Sequence, residues 1–168
     1  IAPLPSWLEY LAIGSVLAIG LVNATGLPGQ VSAWLRPLCL ASAALHLYRL
    51  AHWQGWRTWQ VPLLWSMHLS YLCIPLAMLG LAVAGTDPVA SKNVVHLLAI
   101  GAIGGMILSM MSRVSLGHTG RVLRVGPTLI AAYIALFCAL IVRVTGQWWL
   151  MDYRAVVTGS ALLWALAF

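Results

Sequence analysis

Six long apolar stretches constrain this chain more than any other feature. They cover approximately residues 7–26, 31–49, 60–85, 92–115, 122–144 and 153 onward. An α-helix needs about 18 apolar residues to cross the hydrocarbon core of a bilayer, and five of these stretches approach or exceed that length. Transmembrane β-strands would instead alternate apolar and polar positions. With 62% hydrophobic and 7% charged residues, the chain is predicted to be all-α, a single polytopic bundle of about six transmembrane helices over residues 1–168.

Turns between the apolar stretches indicate the topology. Glycine and proline mark "GLPGQ" (26–30) and "GTDP" (85–88), and in "SLGHTG" (115–120) Gly117 is predicted to follow the end of a helix. Basic residues are slightly more numerous on the side of the 115–120 loop, which we therefore expect in the cytoplasm. This bias explains most of the net charge of +6, so we expect the lipid bilayer, and no nucleic acid, as a partner.

The two ends of the chain and its cysteines limit the interpretation further. The sequence opens on Ile1 and stops at Phe168 inside an apolar run, so we expect a fragment of a longer protein. Three cysteines lie in separate apolar runs without CxxCH spacing. We expect them to be buried free thiols, and covalent c-type haem is excluded.

The stretch 92–115 carries a nearly side-chain-free surface. Its "GAIGG" segment (101–105) places Gly101 and Gly105 four residues apart, with Ala102 and Gly104 beside them. Small residues let helix backbones approach closely in membranes, which favours packing against another helix. A flat macrocycle against the same surface is the alternative interpretation.

Histidines are the residues in the apolar stretches that point most directly to chemistry. At about 1.5 Å per residue, His46 lies roughly 5 Å, His68 about 12 Å and His96 more than about 25 Å from the cytoplasmic ends, and His118 lies at the tip. Imidazole suits haem iron and copper, so these four are candidate metal ligands. The depths predict two sites, with His96 joined by Arg36 or Arg143 at the outer one.

Acidic residues exclude one class of function. Glu9, Asp87 and Asp152 all lie near predicted helix ends, and the spans contain no acidic cluster. A carboxylate-driven ion pump is therefore not expected.

The segment "RVSLGHTGR" (113–121) is the most polar in the chain. Arg113 and Arg121 could extend to lipid headgroups, as basic residues at span ends commonly do. Two glycines beside His118 favour a second interpretation, a tight loop that holds His118 and Arg121 in fixed directions. Guanidinium pairs bidentately with carboxylates, including haem propionates. We predict that this loop faces a cofactor.

Three segments together resemble the NnrS family of bacterial membrane proteins: "WSMHLSYLCIPLAMLG" (65–80), "HLLAIGAIGGMILSMMSRVSLGHTGR" (96–121) and "LFCALIVRV" (136–144). Family members are about twice as long, with roughly twelve spans, so the resemblance implies the C-terminal half of such a protein. It also implies the bacterial inner membrane, a haem b and copper, and a part in the response to nitric oxide and nitrosative stress. The cofactor-binding positions that it implies are His68, His96, Arg113, His118, Arg121 and Arg143.

Three functions remain open from the sequence. The first is a haem-binding, or haem-copper, membrane protein that handles nitric oxide or protects against it, completed by the N-terminal half or another membrane subunit. A second is a b-type cytochrome, for which His46 and His68 are the nearest axial pair. The third is a cofactor-free transporter.

Overall fold

Helices make up nearly all of the chain that the computed structural model describes, namely residues 4–24, 30–84, 88–120, 122–149 and 152–168. They are α1 (Ser6–Ala24), α2 (Gln30–His52), α3 (Pro62–Ala84), α4 (Pro88–His96), α5 (Gly105–His118), α6 (Pro127–Trp149) and α7 (Tyr153–Ala167). A π-helical stretch, Leu97–Gly104, joins α4 to α5 without a break, and a 3₁₀ turn, Gly55–Thr58, precedes α3. Across the described ranges, the prediction of an all-α fold is confirmed.

Four helices are long and apolar enough to cross a membrane: Ser6–Ala24, Pro62–Ala84, Ser91–His118 and Pro127–Trp149. Helix α2 has sufficient length, but Arg36, His46 and Arg49 make it more polar than the others. Helix α7 is apolar and has only 15 residues. The predicted number of about six spans is therefore not confirmed, whereas four candidate spans are found in the described part of the chain.

The glycine surface of the long helix α4–π–α5 packs against α3. A Cβ added at Gly101 would lie 2.8 Å from the Leu140 side chain and closer still to the Cys73 sulfur, and one at Gly105 would collide with the Ser70 hydroxyl. The helix-packing interpretation of this surface is confirmed. Side chains of α3 and α6 fill the space that a macrocycle would need.

The Ser109 hydroxyl fixes the antiparallel alignment of these two helices further along their length. It donates to the Ser66 oxygen across the interface at 2.9 Å and lies 2.7 Å from the Gly105 carbonyl. Small and hydroxyl-bearing side chains suit such an interface because they let the backbones approach while satisfying polar groups internally.

Helix α1 packs antiparallel to α2, with Ser15 and Ser42 in hydrogen-bond contact at 2.8 Å. Helix α7 folds back on α6, where Val156 lies close to Gly146. The bundle thus has two ends. We call them the Glu9 end, with the starts of α1 and α3 and the end of α2, and the Lys92 end, with the starts of α4 and α7 and the end of α6.

The helix that ends in "RVSLGHTGR" continues further than the sequence predicted. Gly117 lies inside α5, which extends to His118. Thr119 follows, and its hydroxyl donates to the Ser115 carbonyl at 2.8 Å. Gly120 then adopts a left-handed conformation with φ of 64°, which glycine tolerates because it has no Cβ. The assignment of Gly117 as the helix-ending glycine is therefore wrong, and Gly120 takes that place.

Candidate functional site

His68 lies at the Glu9 end, on the first half of α3, beside an apolar groove of about 330 Å³. Its Nδ1 atom is 2.6 Å from the Leu64 carbonyl oxygen, so Nδ1 must carry the proton and donate it. The Trp53 ring packs against the imidazole in an edge-to-face arrangement, with 6.2 Å between the ring centres. Gly55 leaves room for the ring, since a Cβ there would lie 2.8 Å from His68 Cδ2. These contacts fix the tautomer and the orientation of the ring.

The second nitrogen of His68 is the free one. Within the described residues, Nε2 has no hydrogen-bond partner, and in the neutral ring with the proton on Nδ1 it carries the lone pair. A metal-ligating histidine commonly donates its other ring N–H to a carbonyl or carboxylate, which is the arrangement that Leu64 provides. Apart from His68, the groove is lined mainly by apolar side chains: Leu47, Leu50, Ala51, Gly55, Trp56, Leu69 and Leu72. This donor and its surroundings fit one face of a haem.

His46, by contrast, is buried in a closed hydrogen-bond network. Its side chain is 3% exposed. Nε2 lies 3.2 Å from the Ala12 carbonyl and must donate to it, so Nδ1 accepts from the Tyr71 hydroxyl at 2.6 Å. Tyr71 in turn accepts from Arg49. Both ring nitrogens are therefore engaged, and His46 presents no free lone pair to a metal in this arrangement.

An ion pair completes the network around His46. Arg49 binds the Glu9 carboxylate through two nitrogens, in a bidentate contact between α2 and α1. Its guanidinium carbon also lies 5.3 Å from the Trp53 ring and 5.4 Å from the Tyr71 ring. The Tyr71 hydroxyl joins Arg49 to His46. The network therefore connects α1, α2 and α3 through hydrogen bonds and an ion pair at the Glu9 end.

His96 and Arg143 meet at the opposite, Lys92 end. Arg143 Nε donates to His96 Nε2 at 3.1 Å, across the interface between α4 and α6. The guanidinium carbon lies 5.8 Å from the centre of the Tyr153 ring on α7. The sequence left Arg36 and Arg143 as alternative partners of His96. The structure places Arg143 beside His96, and Arg36 is exposed on α2. Because Arg143 can only donate, His96 Nε2 is unprotonated and its lone pair is occupied.

Two adjoining cavities share His96 and Arg143. The outer one, of about 190 Å³, is lined mainly by polar groups: Lys92, Asn93, His96, Arg143, Gln147, Tyr153 and Val156. The inner one, of about 280 Å³, is mostly apolar: Ile100, Val157, Ser160, Ala161 and Trp164 join the shared pair. The outer cavity, with its polar residues, therefore adjoins the mostly apolar inner cavity at this end.

Two of the remaining predicted site residues, Arg113 and His118, lie in the last turns of α5. Arg113 and His118 are exposed, and Arg121 lies outside the described residues. The structure thus brings together His96 with Arg143 but leaves His68, His46 and the 113–118 segment as separate positions. Within the described ranges, no three His, Cys, Asp or Glu side chains are grouped so that they could hold a metal ion. Copper binding stays a prediction.

Several residues of these sites were missed by sequence reasoning. Glu9, Arg49 and Tyr71 build the buried network, and Lys92 and Gln147 line the outer cavity. A signal was present for the first group: an acidic and a basic residue at adjoining span ends are natural partners in an antiparallel pair. For the outer cavity the sequence offered no comparable pattern.

A helical bundle with four candidate spans and polar sites at both ends defines the class, a helical membrane protein. A family model described as NnrS protein matches residues 2–168, so the chain belongs to the NnrS family. Membership suggests a membrane protein of the nitric oxide response. No curated protein and no solved structure matches the chain.

Proposed function

We propose that this protein binds haem b through His68 and handles or protects against nitric oxide at the bacterial inner membrane. The observation that carries the proposal is the His68 imidazole, whose Nδ1–H is held by the Leu64 carbonyl while Nε2 stays free beside an apolar groove. A haem held by His68 would supply iron, to which nitric oxide can bind. Family membership supports the connection to nitric oxide.

The residues around His68 would act by positioning and by excluding water. The Leu64 carbonyl raises the donor strength of Nε2 by accepting the Nδ1 proton. Gly55 and Trp53 restrict rotation of the ring. The apolar lining of the groove disfavours water beside a bound ligand, and among the described residues that line it His68 is the one histidine. These features favour His68 as the residue that would hold the haem, because His46 would have to leave its hydrogen-bond network to take part.

The other predicted positions extend the same proposal. Arg113, His118 and Arg121 would pair with anionic groups of the cofactor or donate hydrogen bonds to it, and α2 and α7 would complete a multi-pass bundle. Ser66 and Ser109 align α3 with α5 in antiparallel fashion, which puts the end of α5 at the same end of the bundle as His68. A second subunit or a further part of the chain would supply the opposite face of the groove.

The test is an optical titration of the full chain in detergent with haem, recorded oxidised, reduced and after nitric oxide. The wild type should develop a Soret band that shifts with nitric oxide. His68→Ala should lose most of the bound haem, and added imidazole should restore the band because it can replace the missing ligand. Gly55→Ala should retain haem with a shifted spectrum, since its Cβ would push the His68 ring aside.

His52→Ala is the matched control, because it removes an imidazole from the end of α2 beside the Tyr48 ring. It should leave the titration unchanged. Full haem retention by His68→Ala with an unshifted Soret band would overturn the assignment. A wild type that shows only the spectrum of free haem throughout the titration would favour the cofactor-free transporter instead.

A further inference from the structure

Arg143 is a half-buried cation without an acidic partner among the described residues. Its guanidinium contacts the neutral His96 ring and the face of Tyr153. Arg49, the other arginine held inside the bundle, is bonded to the Glu9 carboxylate. A charge partly withdrawn from water is costly unless an opposite charge compensates it. The contrast between the two arginines indicates that Arg143 is compensated by something other than a side chain of this part of the protein.

The outer cavity is built from groups that suit an anion. Lys92 and Arg143 are cationic, Asn93 and Gln147 offer amide N–H donors, and Tyr153 adds a hydroxyl. None of the described residues that line this cavity is acidic. The nearby Asp152 carboxylate is engaged elsewhere, since it accepts from the Arg154 backbone N–H at the start of α7. The cavity therefore carries positive charge and hydrogen-bond donors together.

His96 determines which edge of Arg143 is available. Because Nε is committed to His96, the side edge of the guanidinium, formed by Nε and one terminal nitrogen, is partly occupied. The two terminal nitrogens, Nη1 and Nη2, remain as a parallel pair of donors. Such a pair matches a planar group with two oxygens about as far apart as those of a carboxylate. This geometry favours a planar oxyanion over a spherical halide.

We propose that the outer cavity at the Lys92 end binds a small planar oxyanion, with Arg143 as its bidentate partner and Lys92 as a second cation. Free nitrate or nitrite has this chemistry, and so has the carboxylate of an amphiphile whose apolar body would lie in the adjoining cavity beside Trp164. The site goes beyond the proposed haem function because it shares no residue with the His68 groove.

The experiment measures the thermal unfolding midpoint of the full chain in a neutral detergent as nitrate replaces chloride at constant ionic strength. Binding to the folded state should raise the midpoint in a saturable manner. Arg143→Gln should abolish the nitrate-dependent rise. Arg143→Lys keeps the charge and removes the planar fork, so the apparent Kd for nitrate should increase by about tenfold and the preference over chloride should disappear.

Arg36→Gln is the matched control, because it removes an exposed arginine of α2 outside the cavity lining. It should retain the full response to nitrate. Lys92→Gln changes an exposed residue and so does not depend on the folding of an Arg143 variant. It should increase the Kd severalfold. His68→Ala should respond like the wild type, which separates this proposal from the haem proposal.

A second arm identifies the source of the anion. Oleate added at submicellar concentration should compete with nitrate in the wild type if the natural ligand is an amphiphile, and should leave the nitrate response intact if the ligand is a free ion. Both results support the oxyanion site, because both depend on Arg143. A nitrate response equal to that of chloride in the wild type, or one that survives in Arg143→Gln, would overturn the proposal.

Discussion

The same substitution at two buried tyrosines should have opposite effects on stability. Tyr71 is 8% exposed, and its hydroxyl donates to His46 and accepts from Arg49. Tyr133 is 1% exposed, and its hydroxyl has no hydrogen-bond partner in the described part of the chain. Removing one oxygen from each side chain leaves the ring packing nearly unchanged. The difference between the two variants therefore reports hydrogen bonding alone.

The magnitudes follow from the two environments. Tyr71→Phe removes a neutral hydrogen bond worth about 1 kcal/mol and one to a charged donor worth about 2 kcal/mol, a loss of about 3 kcal/mol. If each bond contributes only the ~0.6 kcal/mol typical between transmembrane helices, the loss is still about 1 kcal/mol. Tyr133→Phe removes a buried hydroxyl that is unsatisfied, and should raise the free energy of unfolding by about 1 kcal/mol.

The assay is unfolding by SDS in mixed micelles, followed by the loss of helical ellipticity. Tyr71→Phe should shift the transition to lower SDS and Tyr133→Phe to higher SDS. Tyr48→Phe, at an exposed tyrosine of α2, controls for the loss of a hydroxyl as such and should be neutral. Shifts of equal sign for Tyr71→Phe and Tyr133→Phe would refute the hydrogen-bond assignments.

Two further substitutions test the packing of the bundle in the same assay. Glu9→Gln leaves Arg49 without its opposite charge and should lower the free energy of unfolding by about 2 kcal/mol, less than for a fully buried pair, because the Glu9 side chain is 37% exposed. The control Asp152→Asn should change it by less than about 0.5 kcal/mol. Equal losses in the two variants would contradict the ion pair. Gly101→Ala should lower the free energy of unfolding by about 1–3 kcal/mol, because the added methyl collides with Cys73 and Leu140. The control Gly14→Ala, with open space around it, should stabilise α1 by up to about 1 kcal/mol. No loss of stability in Gly101→Ala would exclude close packing at the glycine surface.

The apolar pattern predicted most of the helices because they are long apolar runs bounded by glycine or proline, except between α6 and α7. The boundaries found for α3 and α6 follow Pro62 and Pro127, whose fixed φ suits a first helical turn. The apolar pattern could not reveal the π-helical stretch Leu97–Gly104. A π-helix has more residues per turn than an α-helix, and its formation depends on packing against neighbouring helices, which the pattern does not show. The end of α5 was misplaced for a related reason: two glycines three residues apart offered equal signals, and only the backbone conformation distinguishes them.

The sites were harder to predict than the fold because the residue types were visible and their partners were not. Depth along the helices placed His68 and His96 at opposite ends of the bundle, as the structure does, because depth follows from residue number at about 1.5 Å per residue. Depth carries no information about rotation, and rotation determines which side chain a histidine meets. His46 turns toward Tyr71 and Ala12 and loses both nitrogens to them, whereas His68 turns outward and keeps one free.

The buried Arg49 and the half-buried Arg143 show that the sequence did not reveal the partners of charged residues either. Arg49 and Arg143 lie near the ends of apolar helices and are alike in sequence context. Their neighbours differ: Arg49 faces a carboxylate on α1, and Arg143 faces a neutral imidazole on α4 and a cavity. An arginine whose charge is already balanced stabilises the fold, and one whose charge is not balanced can bind an anion. At the Lys92 end the half-buried Arg143 has no carboxylate partner among the described residues, whereas at the Glu9 end the network around Arg49 is closed and His68 Nε2 lies outside it.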